Sequence, residues 1–167
     1  RRMKGILKKL RRARITKDFL MRKKANSIKE KIRRLKEKIS RTTDPKKLSH
    51  LKKKLEKAHL KLAITIKKLQ RARIRHESRK IKHLQELLKK TKDPAIIKSI
   101  QSKLNSFITR RAASILQYKK ADSKLRKIRK ARLAKLKQKS DALMSKISSF
   151  FSAPATEGQK QEQHHFI

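Results

Sequence analysis

The first candidates for chemistry are the histidines and their acidic neighbours. His76 and Glu77 begin the pattern His-Glu-x-x-His, in which two histidines one helical turn apart hold zinc and the glutamate serves as base. The place of the second histidine is taken by Lys80. His76 and His83 stand seven residues apart on one helical face, and His164 and His165 adjoin near the C-terminus. A metal site needs several deprotonated ligands gathered together. Here 54 Lys and Arg against 12 Asp and Glu give a net charge of +42, a field that opposes any cation. Neither a metal nor a cofactor is expected. Gly5 and Gly158 are the only glycines and lie at opposite ends, so no glycine-rich phosphate loop can form. The scattered acids offer no general acid–base pair. The chain reads as non-catalytic, with no small-molecule substrate.

Guanidinium and ammonium groups are what the chain has in abundance. Lys8, Lys9, Arg11, Arg12 and Arg14 form one cluster; Arg22, Lys23 and Lys24 form the next, followed by Arg33 and Arg34. Lys52, Lys53 and Lys54 come after, then the spaced set Arg71, Arg73, Arg75 and Arg79, and then Arg110 and Arg111. The last set is Arg126, Lys127, Arg129, Lys130 and Arg132. Any one such cluster is an ordinary solvated helix face. A solubilising surface mixes signs, however, and this one does not. Arg suits bidentate phosphate contacts and Lys acts as a point charge, so these residues are the expected nucleic-acid-binding residues. No zinc finger or aromatic strand motif for reading bases is present. Phe19, Phe107, Tyr118, Phe150 and Phe151 are expected to pack in the core rather than stack on bases. Recognition should therefore be of backbone and shape.

The elements that carry these groups are helices. Offset by 49 residues, Lys31-Ile32-Arg33-Arg34-Leu35-Lys36-Glu37 lies over Lys80-Ile81-Lys82-His83-Leu84-Gln85-Glu86, and Thr42-Thr43-Asp44-Pro45 over Thr91-Lys92-Asp93-Pro94. Asp is a preferred N-cap and Pro suits the first helical position, so each Thr-x-Asp-Pro marks one helix ending and another starting. Such short connections fold helices back as αα-hairpins. The expected fold is all-α: long basic helices in coiled-coil-like αα-hairpins, two copies of a roughly 49-residue repeat, and an irregular tail. The segments are residues 1–43, 45–90, 94–151 and a tail at 152–167, with a possible break in the first helix at Ala25-Asn26-Ser27. Leu48, Leu51, Leu55, Ala58, Leu62 and Leu69 follow heptad spacing, faced by Ile28, Ile32, Leu35 and Ile39. Ile97, Ile100, Leu104, Phe107, Ile108 and Ile115 form the third stripe. Residues 60–66 read as the most buried point. Residues 71–79 have almost no apolar seam, which predicts an arm crossing solvent or polyanion.

Composition narrows the function. The absence of cysteine rules out a disulfide scaffold, and no apolar run approaches the roughly 20 residues of a membrane span. The three long segments each carry +14 to +16, so the whole body is basic, not just a tail. The expected function is an RNA-binding structural protein of a large ribonucleoprotein, ribosomal or ribosome-assembling, that neutralises and bridges rRNA phosphates. Its expected partners are rRNA and neighbouring proteins of the same assembly. The expected location is intracellular, in a ribosome or nucleolus, with an organelle matrix as a further option. A DNA-condensing nucleoid or chromatin protein and a helical scaffold on an acidic filament such as a microtubule are the alternatives.

Like charges recurring on every turn cost a few tenths of a kcal/mol per i,i+4 pair. The free protein should therefore be weakly stable, with helicity that rises on adding salt or nucleic acid. Circular dichroism at low salt checks this; full helicity with cooperative melting in the absence of ligand contradicts it.

Overall fold

The computed structural model describes residues 2–152, and these are helical apart from two three-residue turns at 42–44 and 91–93. The helices are α1 (Arg2–Arg41), α2 (Pro45–Lys90) and α3 (Pro94–Ser152). The tail expected at 152–167 lies outside the described residues except for Ser152, which closes α3. Among the described residues, 2–128 form one compact unit and 129–152 a second.

Each turn is built by the same local chemistry. The Asp44 carboxylate accepts from the Lys46 amide at 3.1 Å, and Asp93 accepts from the Ala95 amide at 3.0 Å. The Asp44 and Asp93 carbonyls each accept the first helical bond, from Leu48 and Ile97 respectively, at 2.9 Å. Before each cap a threonine hydroxyl donates back to the carbonyl four residues earlier, Thr42 to Lys38 and Thr91 to Leu87. Pro45 and Pro94 start helices where an amide would have no partner in any case.

In the first unit, α1 packs along α2. Ile28, Ile32 and Leu35 bury against Ala58, with Leu51, Leu55 and Leu62 alongside. The expected break at Ala25-Asn26-Ser27 does not occur: Ala25 is itself buried and α1 runs through unbroken. Packing of an apolar stripe, with Ala as the best helix former, outweighs the weaker propensity of Asn and Ser.

The expectation for residues 71–79 is overturned as well. Gln70 and Glu77 are buried, Arg73 and Ile74 are half-buried, and both other helices reach this segment. Asp18 of α1 accepts from Arg73, and Ser114 of α3 donates to Glu77. The seam is present but carried by polar letters: Gln70, Ile74, Glu77, Ile81 and Leu84 recur at four and three residues. On α3 the spacing likewise continues past Phe107 through Ser114, Tyr118, Ala121, Leu125 and Ile128. Leu125, 2% exposed, is the most deeply buried of the core hydrophobics, and in the 60–66 stretch only Ala63 and Thr65 are buried. Ile108 lies off the seam, and Phe19, Phe150 and Phe151 are exposed, not core.

The buried carboxylate is the weak point of this seam. Glu77 is 7% exposed; its Oε1 accepts from Ser114 at 3.2 Å and its Oε2 has no partner. Burial pushes its pKa up, against the opposing pull of the Ser114 hydrogen bond and of Arg73, Arg110 and Arg111. Folding thus holds this proton more tightly than the unfolded chain does. The group's contribution to stability is full below the ordinary carboxylate range and is lost as pH rises through the raised value. Glu77→Gln should stabilise the protein at neutral pH by about 1 kcal/mol and flatten that decline. Thermal melts of both proteins across pH 4–8 check the expectation; a variant no more stable than the parent at pH 7 contradicts it.

Candidate nucleic-acid interface

All the expected binding residues project from helices, and all are exposed except Arg73 and Arg132, which are half-buried. Their role therefore depends on which acids they meet. Arg33 bonds Glu30 and reaches Glu37 at 2.7 Å, and Arg34 lies 3.5 Å from Glu30. Arg22 pairs with Asp18 at 3.1 Å, and Arg126 with Asp122 at 3.1 Å. Apart from Arg73, these are side chains more than half exposed that pair within one helix, where such ion pairs hold their partners weakly.

Two ion pairs do something different, because they join helices. Arg73 of α2 donates to Asp18 of α1 through Nε at 2.9 Å and Nη2 at 3.3 Å, a two-pronged contact with both side chains about one-third exposed. That hydrogen bonding holds the Asp18 carboxyl below its ordinary pKa. Lys67 of α2 donates to Asp122 of α3 at 2.8 Å and lies over the Tyr118 ring. Arg73 is thus a structural residue that the sequence pattern groups with Arg71 and Arg75, both exposed, although Arg71 also donates to the Tyr118 hydroxyl of α3 at 3.4 Å.

The structure brings basic clusters from all three helices together around His76. Arg14 donates through Nη1 to His76 Nδ1 at 2.8 Å. Since a guanidinium can only donate, the imidazole is neutral with its proton on Nε2. Burial, followed by Arg14, Lys80, Arg79 and Arg11, lowers the His76 pKa. Phe107 of α3 meets the imidazole edge-on at 6.3 Å, and Arg110 stacks over Phe107 at 5.4 Å. His76 is thus a neutral acceptor inside a ring of cations. Among the described residues no group of three or more His, Cys, Asp or Glu could hold a metal.

From this centre, three grooves follow the α1–α2 seam. One, of about 320 Å³, is lined by Arg14, Lys17, Arg22, Arg73 and His76 around Met21 and Leu69. The next, about 220 Å³, has Lys24, Lys57, Lys61 and Lys68 at its edges. The third, about 430 Å³, shares Lys57 and Lys61 and adds Lys31, Arg34, Lys38 and Lys54. From Lys54 to His76, α2 rises about 33 Å at 1.5 Å per residue. Reading contiguous basic runs misses Lys31, Lys38, Lys57, Lys61 and Lys68. The signal that finds them is helical spacing: 54, 57, 61 and 68 recur in steps of three, four and seven, beside the apolar seam.

Lys57→Ala/Lys61→Ala/Lys68→Ala should lower the slope of log K against log salt for RNA by roughly two while leaving helicity and melting temperature intact. Arg73→Ala should do the reverse, costing about 1 kcal/mol of stability with little change in slope. Filter-binding salt titrations alongside thermal melts read both. A slope unchanged in the triple variant removes these lysines from the interface.

No protein family, no curated protein and no solved structure is found to match this chain.

Proposed function

We propose that this chain is a non-catalytic RNA-binding structural protein of a large ribonucleoprotein, a ribosomal or ribosome-assembly component that neutralises and bridges rRNA backbone phosphates. On this reading it resides in a ribosome or nucleolus, or in an organelle matrix, among neighbouring proteins of the same assembly. The observation that carries the reading is the exposure of cations on all three helices while Asp18 and Asp122 serve ties between helices. Duplex DNA lying along a helix needs one basic face. Folded RNA surrounds a protein with phosphate on several sides and is recognised largely by shape and backbone.

The mechanism is electrostatic stapling. The lysine-lined grooves between α1 and α2 hold one run of phosphates, and the Arg110–Arg111 side of α3 holds another. Phosphates that repel each other are thereby held at the separation set by the helices. Counterion release makes the binding fall steeply with salt.

On the same footing we propose that the two turns belong to copies of one 49-residue unit forming coiled-coil-like αα-hairpins. The matching Asp caps, Asp carbonyl bonds and Thr back-bonds support this. So does the burial of Ile32 and Leu35 alongside that of Ile81 and Leu84.

The test is a low-salt lysate from the native source, split between RNase and DNase and run on sucrose gradients. Release of the protein from fast-sedimenting fractions by RNase alone is the expected result, and sequencing the protected RNA then identifies the site. Release by DNase alone, or by neither enzyme, overturns the proposal in favour of chromatin or an acidic protein assembly, respectively.

A further inference from the structure

The stretch 129–152 of α3 contains no buried residue, yet it is not uniformly polar. Leu133, Leu136, Leu143, Ile147, Phe150 and Phe151 are between 42% and 81% exposed. At about 100° per residue, these side chains and Met144 fall within an arc of about 120°, which also holds Arg129 at the start of the stretch and Ser140 midway. Both edges of the arc are basic: Lys130 and Lys137 on one side, Lys135, Lys139 and Lys146 on the other. Gln138, Ser145 and Ser149 occupy the opposite face, and Asp141 is the only acid in the stretch.

We propose that this stretch is an interfacial helix that binds an anionic lipid surface, lying in the membrane plane. It has the required features: an apolar face ending in aromatics, lysines at the boundary where their stems can lie along acyl chains while the ammonium groups reach lipid phosphates, and low overall hydrophobicity. It lies on the surface rather than crossing it, since no helix among the described residues is long and apolar enough to span a bilayer.

Charge and shape argue against the other occupants. If two copies paired through Leu133, Leu136, Leu143, Ile147 and Phe150 as the seam, Arg132, Lys139 and Lys146 would fill one flank and Lys137 would lie on the other. Either orientation then sets cation against cation. An acidic partner helix meets the charge but not the width. Phe150 and Phe151 are adjacent, so they project about 100° apart, and their rings meet edge to face at 5.7 Å with 80% and 81% exposure. The seam of one partner helix covers only one of them. A layer of acyl chains covers both, with Met144 on the same side as Phe151.

The chain has no tryptophan, so Phe151→Trp places a single reporter on this face. The 167-residue variant, freed of nucleic acid, is titrated with vesicles of 30% phosphatidylglycerol in phosphatidylcholine at 0.15 M salt, then with vesicles of phosphatidylcholine alone. With the anionic vesicles the emission should shift to the blue and be quenched by lipids brominated along the acyl chain. Adding Leu143→Ser and Ile147→Ser leaves the charge unchanged, so purely electrostatic adsorption survives. It should nevertheless lower partitioning at least tenfold and abolish the shift, given what burial of one large apolar side chain contributes. Circular dichroism confirms that the packed unit is untouched. Emission unchanged by anionic vesicles overturns the proposal. So does a blue shift that follows protein concentration without lipid and accompanies a dimer in sedimentation, because a second copy then covers the face. Equal binding by the serine variant reduces the contact to charge alone and overturns it too.

Discussion

Mutual repulsion among the positive charges is the constraint that the rest of this structure answers. A net charge of +42 sits on helices whose contacts with one another are only one or two side chains deep. Among the described residues no large side chain is completely buried, so the apolar contribution comes from long, thin seams, not from a compact core. Seams between long helices let long basic side chains point outward on either flank, which spreads the charge as far as the fold permits. The same geometry places lysines from α1 and α2 on common grooves, and the repulsion between them is what an added polyphosphate would relieve.

Against that background the few acids have unequal importance. Asp44 and Asp93 set where helices begin. Asp18 and Asp122 join helices, each taking one cation from α2 across an interface. Glu30 and Glu37 stay within one helix and hold Arg33 at the surface. Glu77 is the exception, a carboxylate placed where its neighbours along the seam are apolar and where only Ser114 and the nearby arginines moderate its burial. A thin seam interrupted by such a group has low local stability, and this point lies close to Arg73, Arg110 and Arg111.

Both units share an amphipathic logic applied to different neighbours. In the first, apolar stripes of α1, α2 and α3 cover one another. In the stretch 129–152 the stripe is exposed and bordered by lysine. The difference lies in exposure, since the stripe residues themselves are of the same kind, Leu and Ile at three- and four-residue steps.

The helices, their turns and the basic character of all three helices were legible in the sequence, because capping and charge are local properties. Asp-Pro after Thr allows few conformations, and a Lys or Arg on a helix projects far enough to reach solvent almost wherever it lies. Tertiary structure alone decided which polar residues count as core and which arginine is structural. Gln70, Glu77 and Ser114 read as surface letters until the helices pack against one another. Arg73 reads like Arg71 and Arg75 until Asp18, 55 residues away, meets it. The lysine rows became a surface only when α1 and α2 came side by side. A single chain order does not record which residues distant along it become neighbours, and at this composition those neighbours determine whether a charge is a tie, a liability or a binding group.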